Sequence, residues 1–404
     1  TRMNSPRIFR NRRDTAGPHP PIPAGPANVH RFSANNATFV RRARLTVNSG
    51  TTHAMEKTSV GRIRWWKIAL PVLLGLGFVA WMIARDFDPA IFRHVRFTPH
   101  ALFFILLAFL FMVGRDLGYM IRIRLFSRGQ LTWKQAFRVI MLWEFTSAVT
   151  PSAIGGTSVA VVFVHKEGIP VGRSAAIVML TSFFDELYFA VIFPIVFFVI
   201  GGDRLFAGPL GHELMLFASI GYGLKLAYLL LLSYGLFFNP IGLKWLLTKL
   251  FSLPVLRRWR PGAVRAGRDI VRSAIEIRGY KPRFWIQSFA ATFLSWSSRY
   301  LVANALFLAF FALSDHLLVF ARQLAMWIML LVAPTPGGSG FAEYLFTHFL
   351  NDVIPVEASL QVGTAAVIAL LWRLVTYYPY LIMGALILPR WLGQSFGREA
   401  RKTK

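Results

Sequence analysis

Apolar residues in this 404-residue chain fall in long blocks, not in the alternating runs of half-buried strands. Blocks near the length a helix needs to cross a bilayer, about 20 residues, cover 65–84, 99–120, 135–164, 175–200, 214–238, 284–312, 316–342 and 362–388. The pattern predicts an all-α polytopic membrane protein. Two blocks carry helix breakers inside them. Thr150-Pro151-Ser152-Ala153-Ile154-Gly155-Gly156 interrupts the third block, and Thr335-Pro336-Gly337-Gly338-Ser339-Gly340 interrupts the seventh. Proline removes a helical donor and glycine frees the backbone, so both helices are expected to break there.

The basic loops decide which blocks cross, because Lys and Arg collect in cytoplasmic loops. Segment 239–283 carries eleven Lys and Arg against two acids, the 55–67 flank carries four, 114–134 five and 389–404 five. Segment 201–213 carries one, and 342–361 carries none but three acids. If all eight blocks crossed, 239–283 would fall on the side opposite 114–134. If the two broken blocks enter and leave on one side, every strongly basic segment is cytoplasmic. The reading is six full spans plus two re-entrant helical hairpins, with both termini cytoplasmic. The first hairpin enters from the cytoplasm and the second from outside. Displacing 99–126 by 185 residues gives 284–311, and the same displacement carries Thr150-Pro151 onto Thr335-Pro336 and 175–200 onto 360–385. This suggests an inverted repeat, 55–213 and 214–388, with a basic loop at 239–283, a basic tail at 389–404 and a site near the midplane. A chance coincidence of two turns is the alternative, and it leaves the matching flanking helices unexplained.

Composition agrees. Hydrophobic residues make up 55% and charged residues 16%, against about 25% charged in an average soluble domain. The formal charge of +27 would suggest nucleic acid in a soluble chain. Here the basic residues flank apolar blocks, so no nucleic-acid partner is expected. The absence of Cys excludes disulfides, thiol catalysis and Cys-ligated zinc. His100, His165, His212, His316 and His348 are scattered without metal-ligand spacing, so neither a metal nor a cofactor is expected. Residues 1–54 hold nine Arg and the single acid Asp14 around a Pro-rich stretch, and are expected to be a disordered basic tail. Met55 opens a conventional basic flank and apolar anchor, so a start at Met55 with a mis-assigned upstream segment is the other reading.

Charges inside apolar blocks are costly and usually face a cavity or each other. Asp185 and Glu186 sit in the 175–200 block, and Arg373 lies at similar depth in its repeat partner. They could pair with each other. Alternatively, Arg373 attracts an anionic head group while the acids tune it or bind a coupling cation. Arg299 lies deep in 284–312. Arg115, near its repeat equivalent, could snorkel to the interface. Glu343, after the second break, could be a solvated outward-facing acid, and Lys225 has no evident partner. Free backbone N–H groups and close approach at glycine make the two tips candidate anion sites. The candidate binding residues are Thr150, Pro151, Gly155 and Gly156 at the first tip and Thr335, Pro336, Gly337, Gly338 and Gly340 at the second. Arg299, Arg373 and Tyr377 join them, with Asp185, Glu186 and Glu343 as charge-coupling groups.

The runs Ala148-Val149-Thr150-Pro151 through Gly156, Pro334-Thr335-Pro336-Gly337-Gly338-Ser339-Gly340-Phe341-Ala342-Glu343, and Leu371-Trp372-Arg373-Leu374 with Tyr377 and Gly384, resemble the flippase-like transmembrane domain of lysylphosphatidylglycerol synthases. The resemblance covers roughly 60–390, and its second glycine-rich run is the most specific part. It implies a multi-pass protein of the bacterial inner membrane that moves an anionic or phosphate-linked lipid between leaflets. Only a short basic tail follows the last block, so aminoacyl transfer, the work of a separate synthase domain, is not expected. Rival readings are a secondary transporter of a soluble anion, an intramembrane enzyme using Asp185 and Glu186 as acid and base, and a non-catalytic subunit. The subunit would recruit a partner enzyme through 239–283. That segment could equally lie on anionic lipid through its partly amphipathic stretches Leu246 to Leu256 and Arg257 to Arg272. No ATP-binding motif is evident, and a homo-oligomer is compatible with the sequence.

Overall fold

The computed structural model describes Gly77, residues 95–150, 153–208, 211–239, 279–333 and 335–402, and isolated positions between 241 and 271. The tail 1–54, the span expected over 65–84 apart from Gly77, most of the loop 239–283 and Pro151 lie outside the described residues. What is described is helical. The elements are α1 (Pro99–Phe126), α2 (Trp133–Val149), α3 (Ala153–Lys166), α4 (Val171–Ile200), α5 (Gly211–Ser233), α6 (Pro282–Phe310), α7 (His316–Met329), α8 (Phe341–Leu350), α9 (Ala358–Thr376) and α10 (Tyr378–Lys402).

Local chemistry sets several starts. The Thr98 hydroxyl caps α1 by accepting the Ala101 N–H at 3.2 Å, and Pro99 takes the first turn, where its missing N–H has no partner to lose. Thr132 and Gln135 form a reciprocal capping box on α2. The Asp315 carboxylate accepts from Leu318 N–H at 2.9 Å and opens α7. Among the described residues, four helical stretches are long and apolar enough to cross a bilayer: Pro99–Phe126, Arg173–Ile200, Gly211–Phe238 and Ala358–Trp391. The α6 helix, expected as a span over 284–312, is long enough but more polar. It carries Ser288, Thr292, Ser295, Ser297, Ser298, Arg299 and Asn304, and it buries most of them against neighbouring helices.

Its principal partner is α1. Gly114 and Gly118 face α6, and a Cβ at Gly118 would stand 2.7 Å from the Ala291 carbonyl oxygen and 2.9 Å from Ser295 Cβ. The small residues let the two backbones approach, as small-xxx-small pairs do in membrane helices, and Ser295 Oγ donates to the Arg115 carbonyl at 2.9 Å.

Polar contacts sort the helix ends into two groups. At one end, Arg138 on α2 pairs with Glu167 just after α3, and Glu167 also accepts from Trp391 Nε1 on α10 at 3.1 Å. Arg128 after α1 lies over the Tyr280 ring before α6. At the other end, Arg204 pairs with Asp315 at 2.7 Å. Arg322 on α7 pairs with Asp352 and donates to the carbonyls of Arg204, Leu205 and Phe349. Accordingly α2 starts and α3 finishes at the first end, while α7 starts and α8 finishes at the second. These four helices have 17, 14, 14 and 10 residues. At 1.5 Å per residue, none exceeds about 26 Å, short of the roughly 30 Å of a hydrocarbon core.

Three expectations change. The block 362–388 is two helices, broken at Tyr377 (φ −127, ψ −57). The segment 342–361 is not all connection: α8 covers it as far as Leu350, and α9 begins at Ala358. The 214–238 block ends in a π-helical turn over Tyr234–Phe238.

Candidate functional site

The first break follows α2 at Thr150, whose backbone turns extended (φ −105, ψ 141) while its hydroxyl donates to the Thr146 carbonyl at 2.7 Å. The second runs through a 3-10 turn at Leu330–Val332 to Gly340. Gly337, Gly338 and Gly340 all have positive φ (59, 68 and 84), the region that favours glycine. The two breaks meet at the third, Tyr377. Its hydroxyl donates to the Ala148 carbonyl on α2 at 3.0 Å. Its ring lies against Gly337 so closely that a Cβ there would stand 2.5 Å from Cε2.

Arg373, one turn before Tyr377, holds the second tip. It donates to the carbonyls of Gly337 and Gly338, both at 3.3 Å. It also pairs with Glu343 through Nε at 2.9 Å and Nη2 at 3.2 Å. Glu343 in turn accepts the Gly340 N–H at 2.7 Å, starting α8. Glu343 is only 1% exposed, so the outward-facing solvated acid is corrected to a buried partner of Arg373. The pairing of Asp185 or Glu186 with Arg373 is not formed. Asp185 accepts from Arg122 at 2.5 Å and from Trp296 Nε1 at 2.7 Å. Glu186 pairs with Lys225 on α5 at 3.1 Å, which supplies the partner the sequence left open. Arg115 is not interfacial. It is fully buried, paired with Asp116 at 2.8 Å and with Glu144 at 2.5 Å, between the rings of Tyr119 and Tyr380.

A cavity of about 260 Å³ lies between the tips. Of the candidate residues, Thr150, Thr335, Gly337, Gly338, Arg299, Arg373, Tyr377 and Asp185 line it. Pro336, Gly340 and Glu343 shape the second tip without lining it, and Glu186, on α4, faces Lys225 of α5 outside the lining. Gly155 lies within α3, and Gly156 is where α3 crosses α2, with Ser147 Cβ only 2.9 Å from the place of a Cβ. The lining also includes residues that sequence reasoning passed over, Tyr119, Arg122, Trp143, Trp296 and Trp327, and Tyr380, which the sequence suggested as an interface or core residue. Arg122 escaped because the span was ended at residue 120 and its charge was counted with a loop, whereas α1 runs on to Phe126.

The charges of the lining differ in their compensation. Arg122, Arg373, Asp185 and Glu144 each have an ion-pair partner. Arg299 has none. Its guanidinium stacks on Trp327, 3.8 Å from the ring centroid, and its Nε is buried without a hydrogen-bond partner. Trp327 Nε1 and Thr335 Oγ1 are likewise buried and unpartnered. Two N–H donors and a hydroxyl thus border one cavity with unmet hydrogen-bonding capacity. Among the described residues, no group of three His, Asp or Glu is placed to hold a metal ion.

A family model described as the lysylphosphatidylglycerol synthase transmembrane region matches residues 68–384. A protein of Archaeoglobus fulgidus named UPF0104 membrane protein is 26% identical over 291 residues, which is 70% of this chain and 84% of the relative. No solved structure matches.

Proposed function

Since the chain belongs to the family of the lysylphosphatidylglycerol synthase transmembrane region, we propose that it moves an anionic or phosphate-linked lipid across the cytoplasmic membrane, with the phosphate resting at Arg299. The observation that carries this reading is the Arg299, Trp327 and Thr335 trio. A buried polar group without a partner costs about 1–3 kcal/mol, and a phosphate oxygen would remove that penalty beside a lining cation that has no ion pair among the described residues. In this reading the α2–α3 and α7–α8 pairs dip into the bilayer from opposite faces as the tips of an inverted repeat. The basic helix ends face the cytoplasm. The head group crosses near the midplane while the acyl chains stay in lipid, and the two halves rock about the cavity.

The test is purified protein in liposomes with tail-labelled phosphatidylglycerol, comparing wild type with Arg299→Gln. Loss of a charge-assisted hydrogen bond is worth about 1.5–3 kcal/mol, so lipid exchange should fall about 10- to 100-fold. Equal rates would remove Arg299 from the mechanism. Uptake of inorganic phosphate without lipid movement would transfer the same site to a soluble anion.

A further inference from the structure

Beyond the cavity, unpartnered polar atoms continue along the α6–α7 seam. Tyr300 Oη, Asn304 Nδ2 and both amide atoms of Gln323 have no hydrogen-bond partner. Tyr300 and Gln323 are 0% exposed and Asn304 is 4% exposed. The helices run antiparallel, and three side-chain contacts fix their register. Trp296 meets Trp327 with ring centroids 5.8 Å apart, Tyr300 meets Phe320 at 5.5 Å, and Asn304 Oδ1 lies 3.3 Å from Nδ1 of His316. Gln323 lies one turn from Trp327 on α7, and Asn304 one turn from Tyr300 on α6, so each pair shares a face. The polar groups therefore form a column. It begins at Arg299 and Trp327 in the cavity wall, passes Gln323 and Tyr300, and ends at Asn304 and the exposed His316 at the helix end opposite the basic one.

Isolated orphans in apolar surroundings are rare, and four atoms in register along one seam are not a packing accident. Buried polar groups that protein atoms leave unsatisfied are the usual hosts of internal water, each water making about three hydrogen bonds. We propose that a file of internal water molecules occupies this seam and joins the cavity to the His316 end. A water file relays protons, so it gives the cavity a protonic connection to that face. The alternative, a dry seam of true orphans, is distinguishable because it predicts no water beside Tyr300.

Hydroxyl-radical footprinting of the full-length protein in nanodiscs tests this, since radicals generated from bound water label adjacent side chains even when bulk solvent cannot reach them. Tyr188 is the internal control. It is equally buried and neighbours Tyr300 at 6.4 Å, but its hydroxyl is satisfied by Ser297 at 3.1 Å. Tyr300 should be oxidised faster than Tyr188, as expected for a side chain in contact with water. Gln323→Leu should bring Tyr300 down to the Tyr188 rate. A wild-type Tyr300 as silent as Tyr188 overturns the file, and so does labelling that Gln323→Leu leaves unchanged. The wild-type comparison decides even if the variant does not fold.

Discussion

Replacing Glu343 by Gln keeps the side chain's size and an oxygen for the Gly340 N–H but removes the charge facing Arg373. Both partners are sealed: Glu343 is 1% exposed and the Arg373 side chain 6%. After the change Arg373 keeps only the Gly337 and Gly338 carbonyls at 3.3 Å and an amide. Breaking one side of such a buried pair costs about 3–5 kcal/mol, because a charge is left uncompensated in low dielectric. The exposed Arg204–Asp315 pair, with side chains 66% and 29% exposed, is worth about 0–1 kcal/mol. Thermal unfolding in detergent, followed by tryptophan fluorescence, should therefore show a large loss for Glu343→Gln and almost none for Arg204→Ala. A Glu343→Leu, Arg373→Met double variant should recover much of the loss, since apolar replacement of both partners removes the orphaned charge. If Glu343→Gln unfolds at the temperature of Arg204→Ala, the pair does not organise the second tip and the reasoning fails.

Gly337→Ala should destabilise the same tip by about 1–3 kcal/mol, since it forces an alanine to positive φ and sets its Cβ 2.5 Å from Tyr377. Tyr377→Leu should relieve part of that penalty, and an additive double variant would separate Tyr377 from Gly337. Arg299→Gln should leave the unfolding temperature near that of the wild type, because the nearby Glu144 keeps its ion pair with Arg115, and lower only lipid exchange. A drop in stability as large as that of Glu343→Gln would make Arg299 structural. The chain has no Cys, so single cysteines report orientation directly. His212→Cys should react with an impermeant maleimide added outside intact cells, and Lys134→Cys only after permeabilisation. The reverse pattern would overturn the assigned orientation.

The fold was legible where apolar length alone decides. Blocks 99–120, 175–200 and 214–238 are contained in α1, α4 and α5 with its π turn, because lipid-facing residues such as Phe103, Leu106, Phe198 and Leu230 must be apolar. Thr150-Pro151 and Thr335-Pro336-Gly337-Gly338 marked two helix breaks because proline and glycine act on the backbone itself. The break at Tyr377 was missed although Pro379, two residues on, marks it: proline has no N–H to donate to the Val375 carbonyl, so the helix restarts at Tyr378. Ion-pair partners were also hidden. Arg122 and Asp185 are 63 residues apart, and no periodicity within one helix encodes which neighbour it will face.

The site differs in one respect from the positively charged centre that the sequence suggested. Around the cavity stand four cations, Arg115, Arg122, Arg299 and Arg373, and four acids, Asp116, Glu144, Asp185 and Glu343. In a low-dielectric interior this near-balance is what permits the cations at all. Three of the arginines are tied to their own carboxylates and to specific backbone or aromatic neighbours, so they act as fixed walls. Arg299 rests on an indole face instead, and an anion can reach it without breaking any internal pair. Binding then leaves the cavity with one negative charge in excess, which the same electrostatics oppose. If the proposed anion binds at Arg299, charge balance calls for a proton or cation to accompany it, and the proposed water file along the α6–α7 seam would deliver a proton to that place.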